Sequence, residues 1–184
     1  MHSVRFHEHQ LHVVQKDAVR ALPLDSPHQI PQVEKVVVNG SMKEMHFNKT
    51  MVPSLLVAVE ALVGQYPTVT FAKKANIKLK VRKGMISGVK ATLRGKVMYL
   101  FLDRLVTMGF PRMKHFEGLR PKSIGQDGNL SLTVDDPAIF SEIEMEFEKF
   151  RLFQSLDISI ATTAKTRPEG EFLFKSMQFP FRNQ

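Results

Sequence analysis

Apolar and polar residues alternate over two short runs in the middle of the chain. Ile77, Leu79 and Val81 interleave with Lys78, Lys80 and Arg82, and Val89, Ala91 and Leu93 interleave with Lys90, Thr92 and Arg94. Strand side chains point to opposite faces with period two, so each run predicts a strand with one apolar and one cationic face. Residues 83–88 join them, with Gly84 and Gly88 as turn-permissive positions, and a hairpin is expected.

Other segments change period. Residues 11–22 are weakly helical, and the Pro-containing stretch 22–31 reads as an irregular connector. "VEKVVVN" is rich in β-branched residues and bounded by Asn39 and Gly40, which predicts a strand. Leu55, Leu56, Val59, Leu62 and Val63 form one face of a helix with Pro53 in its first turn and a stop near Gly64. "TVTFA" is a short strand candidate. Val97, Leu100, Phe101, Leu105 and Met108 give a second amphipathic helix, closed by Gly109 and Pro111. "NLSLTVDD" and "LDISIATTAK" alternate again, and Thr166 with Glu169 is a capping box for a last helix through Phe172, Leu173 and Met177. The expected fold class is α+β: a mostly antiparallel sheet with helices packed on one face, and a cationic hairpin or loop extending from it. Residues 1–31 read as an N-terminal helix and connector, and 32–184 as a single α+β domain.

With 184 residues, 43% of them hydrophobic, one core is the economical reading. The absence of Cys removes disulfides and thiolate metal sites and suits a reducing compartment. The longest apolar stretches, around 55–63 and 97–106, are broken by Glu60, Asp103 and Arg104, and fall short of the ~20 residues of a bilayer span. The first twenty residues have neither the apolar core of a secretory signal nor the acid-free character of a transit peptide. Net charge is +8, which favours a polyanionic partner, nucleic acid before acidic membrane or protein. That charge is polarised. Residues 61–102 contain no acid, whereas Asp135, Asp136, Glu142, Glu144, Glu146 and Glu148 crowd a later segment.

Catalytic and metal readings find little support. His2, His7, His9 and His12 lie near a terminus with no second cluster at ligand spacing, and a polar helix end explains them better than a metal. "RGKV" at 94–97 resembles the end of a phosphate-binding loop, but Lys90 stands where its first glycine belongs and Val97 where its Ser or Thr belongs. No G-x-S-x-G elbow is present. The later run of acids reads as a solvated face, and the ten methionines as core filler. Tyr66, Phe71 and Phe116 could stack on bases, although core packing explains aromatics equally well. The cationic segment stands apart, because solubilising lysines are normally mixed with acids. Cations without acids suit phosphate contact, with the interleaved apolar residues anchoring the sheet that spaces them.

The same residues carry a family resemblance. "TFAKKANIKLKVRKGMISGVKATLRGKVMYLFLDRLV", "FPRMKHFEGLRPKSIGQDGNLSLTVDDPAIFSEIE", "LDISIATTAKT" and the closing "FPF" at 179–181 resemble the large-subunit ribosomal protein five family, which in bacteria binds 5S ribosomal RNA. The resemblance runs in order from about 33 to 181 and fades before about 31. It implies no catalytic activity, no cofactor or metal, and a place on the central protuberance of the large subunit. It further implies ribosomal RNA as partner (5S RNA if present, otherwise large-subunit RNA), the P-site transfer RNA through the loop matching 72–85, a small-subunit head protein and neighbouring large-subunit proteins, with no membrane. The RNA-binding candidates are Asn39, Lys43, Lys73, Lys74, Lys78, Lys80, Arg82, Lys83, Lys90, Arg94, Lys96 and Lys122. Relatives typically have Asn-Met-Gly-x-Gly after the first strand, where this chain has Asn39-Gly40-Ser41-Met42-Lys43. In the loop, Lys78 replaces a usual glycine and Lys83 a usual acid. These departures resemble organellar divergence, so a mitochondrial ribosome is expected, with a bacterial or plastid ribosome as the alternative. The acidic stretch is a candidate face for a basic protein neighbour. A free-standing regulatory RNA-binding module with this fold is the competing function, and an enzyme acting on RNA or nucleotides the third.

Overall fold

The computed structural model describes residues 4–24, 26–41, 51–77, 81–146, 150, 153 and 155–182. Helices α1 (Arg5–His9) and α2 (Gln15–Ala21) are joined by a π-helical turn at Gln10–Val14. Strand β1 (Val33–Ser41) is followed by α3 (Met51–Val63), β2 (Thr68–Phe71) and β3 (Ile86–Leu93). Helix α4 (Gly95–Arg104) continues through a second π-helical turn, Leu105–Gly109, into α5 (Phe110–Arg112). Then come β4 (Leu130–Val134), α6 (Ser141–Glu144), β5 (Ser155–Thr162) and α7 (Arg167–Ser176). The fold is α+β as expected, with one five-stranded antiparallel sheet in the order β2-β3-β1-β5-β4. Among the described residues no helix is long and apolar enough to cross a membrane.

The chain groups into two compact units, one of residues 1–36, 93–132 and 159–184, the other of 37–92 and 133–158. In the second unit α3 buries Val52, Leu55, Ala58, Val59, Leu62 and Val63, which keeps four of the five predicted face positions and leaves the fifth, Leu56, half-buried at the edge, and it touches α6. Its end is at Gly64, whose N–H reaches the Glu60 carbonyl at 2.8 Å.

In the first unit the N-terminal helical run begins at Arg5, six residues earlier than its periodicity suggests. Its buried positions are Phe6, Gln10, Val14 and Ala18, a spacing of four throughout. Steps of four drift by ~40° each on an α-helix of 3.6 residues per turn. A wider π-turn reduces that drift, and here Gln15 donates to the Gln10 carbonyl five residues back. The α1 part of this run packs on α4, where Arg5 pairs with Asp103 and the His7 ring lies 4.8 Å from that of Tyr99, while the π-turn and α2 meet the last helix of the chain, Arg167–Ser176. The second helix does not close at Gly109 and Pro111 but runs through both to Arg112. Phe110 donates to the Leu105 carbonyl, also five back, so the turn is already widened when Pro111, which has no N–H to give, enters it.

Helix α7 opens where the capping box places it, with Thr166 in an extended conformation at the N-cap. Only the Glu half of the box forms, and the Glu169 carboxylate reaches the N–H groups of both Thr166 and the residue before it. Lys165 N–H donates to Glu169 Oε2 at 2.9 Å, and no first-turn N–H bonds the Thr166 hydroxyl. Gly170 meets Gly128 so closely that a Cβ on Gly170 would lie 2.5 Å from the Gly128 oxygen.

Two outcomes follow from α7. Alanine in a helix normally stabilises by up to ~1 kcal/mol over glycine, but overpacking costs ~1–3 kcal/mol. Gly170→Ala is therefore expected to lower the thermal midpoint, and an increase would show that the two backbones are not in contact. The Lys165 N–H, the largest influence, holds the Glu169 carboxyl below its ordinary pKa; burial opposes it, and lesser contacts with Thr166 add to the lowering. Because the folded value is the lower one, the stabilisation is complete above the unfolded pKa and is lost as pH falls through the folded one. Glu169→Gln should thus be less stable than the parent at neutral pH, with the gap narrowing in acid-titrated thermal melts; a gap independent of pH would contradict this.

Candidate nucleic-acid interface

The cationic segment is carried by a hairpin, but not the one that alternation predicts. The partner of β3 is β2, with Thr68 opposite Lys90, Val69 opposite Val89, Thr70 opposite Gly88 and Phe71 opposite Ile86. Ile77, Val81 and Arg82 are not part of a strand of that hairpin. They belong to the long loop 72–85 that connects β2 to β3, of which Asn76 and Val81 form an isolated antiparallel bridge. "TVTF" has the stronger claim on β3, because its Thr, Val and Phe are strand formers and its polar and apolar positions match the β3 register. Lys78, Leu79 and Lys80 lie outside the described residues, as does Lys43.

The loop is closed by its backbone. Ala72 N–H donates to Met85 O at 2.8 Å, Gly84 N–H to Ala72 O at 2.9 Å, and Asn76 and Val81 exchange bonds of 2.8 and 3.0 Å. Gly84 turns the chain at φ +85°, a conformation that a Cβ would strain. Val81 is buried and holds the loop inward, whereas Lys73, Lys74, Arg82 and Lys83 are exposed. Ile77, expected on the core face, is 93% exposed, and Tyr66 and Phe71 are exposed as well. The cationic loop therefore also presents apolar surface, which residue alternation missed because it assigned Ile77 to a strand.

On β3 the alternation holds. Val89 and Ala91 are buried and Lys90 between them is exposed. Asn39, on β1, is half-buried. All of these residues belong to the second unit. The remaining candidates belong to the first. Arg94 is the extended N-cap residue of α4 and pairs with Glu34 at 3.4 Å, Lys96 is exposed in the first turn, and Lys122 is exposed on the short 3-10 turn Pro121–Ser123. The first turn of α4 has no acidic residue. Cations beside the positive end of a helix dipole oppose it, while the unpaired N–H groups there suit an anion. Among the described residues, Lys73, Lys74, Lys83, Lys90, Lys96 and Lys122 have no carboxylate partner.

The arrangement has the chemistry of phosphate binding rather than catalysis. His7 packs on Tyr99, His9 Nε2 lies 2.9 Å from the Ser176 carbonyl oxygen, and no group of three His, Cys, Asp or Glu among the described residues could hold a metal. Burial, opposed in part by a hydrogen bond with Gln10, raises the Tyr99 hydroxyl above its ordinary pKa, so it stays protonated. Phe116 is half-buried and stacked on Phe110 with ring centroids 5.1 Å apart.

Comparison with known proteins agrees with this chemistry. The C-terminal region of the ribosomal L5 family matches residues 86–181. The large ribosomal subunit protein uL5m of Reclinomonas americana is 36% identical over 180 residues, 98% of this chain and 99% of that protein. The uL5 proteins of Trichodesmium erythraeum and of a Nostoc strain are 43% and 42% identical over 156 and 157 residues, 85% of each chain. With more than half of its length matched and its relatives aligned nearly end to end, the chain belongs to the ribosomal L5 family, structural components of the ribosome rather than enzymes.

Proposed function

We propose that this protein is a component of the large subunit of a mitochondrial ribosome, seated on the central protuberance. Its exposed cations hold ribosomal RNA, 5S RNA where one exists and otherwise large-subunit RNA. The loop 72–85 reaches the P-site transfer RNA, and the protein meets a small-subunit head protein as well as its large-subunit neighbours. The observation that carries the RNA reading is the set Lys73, Lys74, Arg82 and Lys83, exposed on one backbone-closed loop, with Lys90 exposed on the adjoining strand. A contact that serves every transfer RNA has to read the phosphate backbone rather than bases, and lysine and arginine on a loop do that. The mitochondrial assignment is supported by the Reclinomonas relative, whose alignment spans 98% of this chain where the cyanobacterial ones quoted above span 85%.

Sedimentation tests the assignment to a ribosome. The protein should co-migrate with large subunits at high Mg²⁺, and an RNA-dependent pool free of ribosomes would identify a free-standing regulatory module instead.

The loop is tested by Lys73→Ala, Lys74→Ala and Lys83→Ala combined. Exposed substitutions cost within ~0.5 kcal/mol each, so the variant should melt near the parent. Its affinity for a large-subunit RNA transcript should fall, and the slope of log affinity against log salt should flatten by ~0.7–0.9 for each lysine that meets a phosphate. In purified ribosomes the variant should assemble normally and bind P-site transfer RNA more weakly in filter assays. Defective assembly with unchanged transfer RNA affinity would place these lysines against ribosomal RNA alone.

A further inference from the structure

The first unit contains a feature that the cationic loop does not explain. Val106, Phe110, Met113, Phe116, Gln178 and Pro180 line an open cleft of about 310 Å³, at the lower end of the range for small-ligand sites. Its floor is rigid. Phe116 stacks on Phe110 with planes 9° apart, Phe110 meets Phe179 edge-on, and Phe179 meets Phe174 in the same way. Phe110, Phe174 and Phe179 are buried, and Phe116 is the half-exposed end of the series.

The rim contains two backbone outliers. His115, just before Phe116, has φ +56°, and Gln178 has φ +63°. Gln178 ends α7 in a Schellman turn, with Gln178 N–H donating to Lys175 O and Phe179 N–H to Phe174 O. Glycine is the usual residue there, since any Cβ is strained at positive φ. The glutamine at that position is exposed and lines the cleft, and its side chain has no partner among the described residues. Strain kept at a ligand-facing position points to use. The charge of the chain around the lining residues is also one-sided: Lys114, between Met113 and Phe116, is exposed, as are Arg112 and Arg120, and the one acid of residues 112–120, Glu117, is paired with Arg182.

We propose that this cleft takes an unpaired nucleobase of ribosomal RNA, stacked on Phe116, with its edge hydrogen-bonded by the Gln178 amide and the adjoining phosphates met by Lys114 and its cationic neighbours. The aromatic face serves any base, the amide can donate and accept, and the cations answer a polyanion rather than an apolar side chain of a protein. This rests on the ribosomal RNA reading above but uses different residues, in the other unit.

The test compares the full chain binding two probes by fluorescence polarisation: a single-stranded oligoadenylate, and an oligonucleotide of the same length whose bases are replaced by abasic sites. The parent should prefer the base-bearing probe. Phe116→Leu keeps the cleft apolar but removes the stacking face, and should lose about 5- to 100-fold in affinity for oligoadenylate while binding the abasic probe as before. Gln178→Gly relieves the positive φ, so it should melt at or above the parent temperature and yet discriminate less between the probes. That combination separates binding from structure, and it keeps the proposal testable if Phe116→Leu folds poorly. A parent that binds both probes equally and salt-sensitively overturns the base pocket alone. Absence of salt-sensitive binding to either probe overturns the RNA reading together with it. If Phe116→Leu retains the probe preference but no longer co-sediments with large subunits, a protein side chain fills the cleft and the proposal is wrong.

Discussion

Like charges repel, and residues 72–96 contain nine lysines and arginines with no acid among them. At 10 Å in water each pair costs only ~0.4 kcal/mol, but the costs accumulate and no acid within the segment offsets them. Apolar burial is the opposing term. Val89, Ala91 and Leu93 are nearly inaccessible to solvent, and burying a valine or leucine side chain contributes ~1.5–3 kcal/mol. One face of β3 thus holds the strand in place firmly enough for Lys90 to stand exposed without a counter-charge among the described residues. The backbone bonds that close the loop do the same for Lys73, Lys74, Arg82 and Lys83, since they need no side chain. The result is a set of exposed cations, of which the four lysines have no carboxylate partner among the described residues.

A second constraint shapes the helices. Four-residue spacing and a proline in mid-helix both conflict with a regular α-helix. The first unit resolves each with a π-turn, at Gln10–Val14 and at Leu105–Gly109. The first keeps Phe6, Gln10, Val14 and Ala18 on one buried side, with α1 against α4 and the π-turn and α2 against α7. The second brings Val106 and Phe110 to the aromatic cleft and admits Pro111. Irregular turns of this kind often accompany functional sites, and here the second one borders the cleft assigned to a base.

The sequence by itself determined the fold class, the family, the helix over residues 51–63, the last helix and the strands β1, β3, β4 and β5. These are segments whose period is unmixed and whose ends are marked by Gly or by a capping residue, so local chemistry and core burial agree. It also determined that Lys90 would be exposed between buried neighbours, because period two leaves no other choice once Val89 and Ala91 face the core. Tertiary structure decided which strand pairs with β3. Two segments, 68–71 and 77–82, had comparable alternation, and pairing is settled by register and contacts across the sheet rather than by either segment alone. The same holds for Ile77, apolar yet exposed, and for the helix that runs through Gly109 and Pro111, where the deciding hydrogen bonds span five residues instead of four. The cleft at Phe116 is the extreme case. Its lining comes from residues 106–116 and 178–180, and a surface assembled from segments so far apart in the chain exists only once the backbone between them has folded.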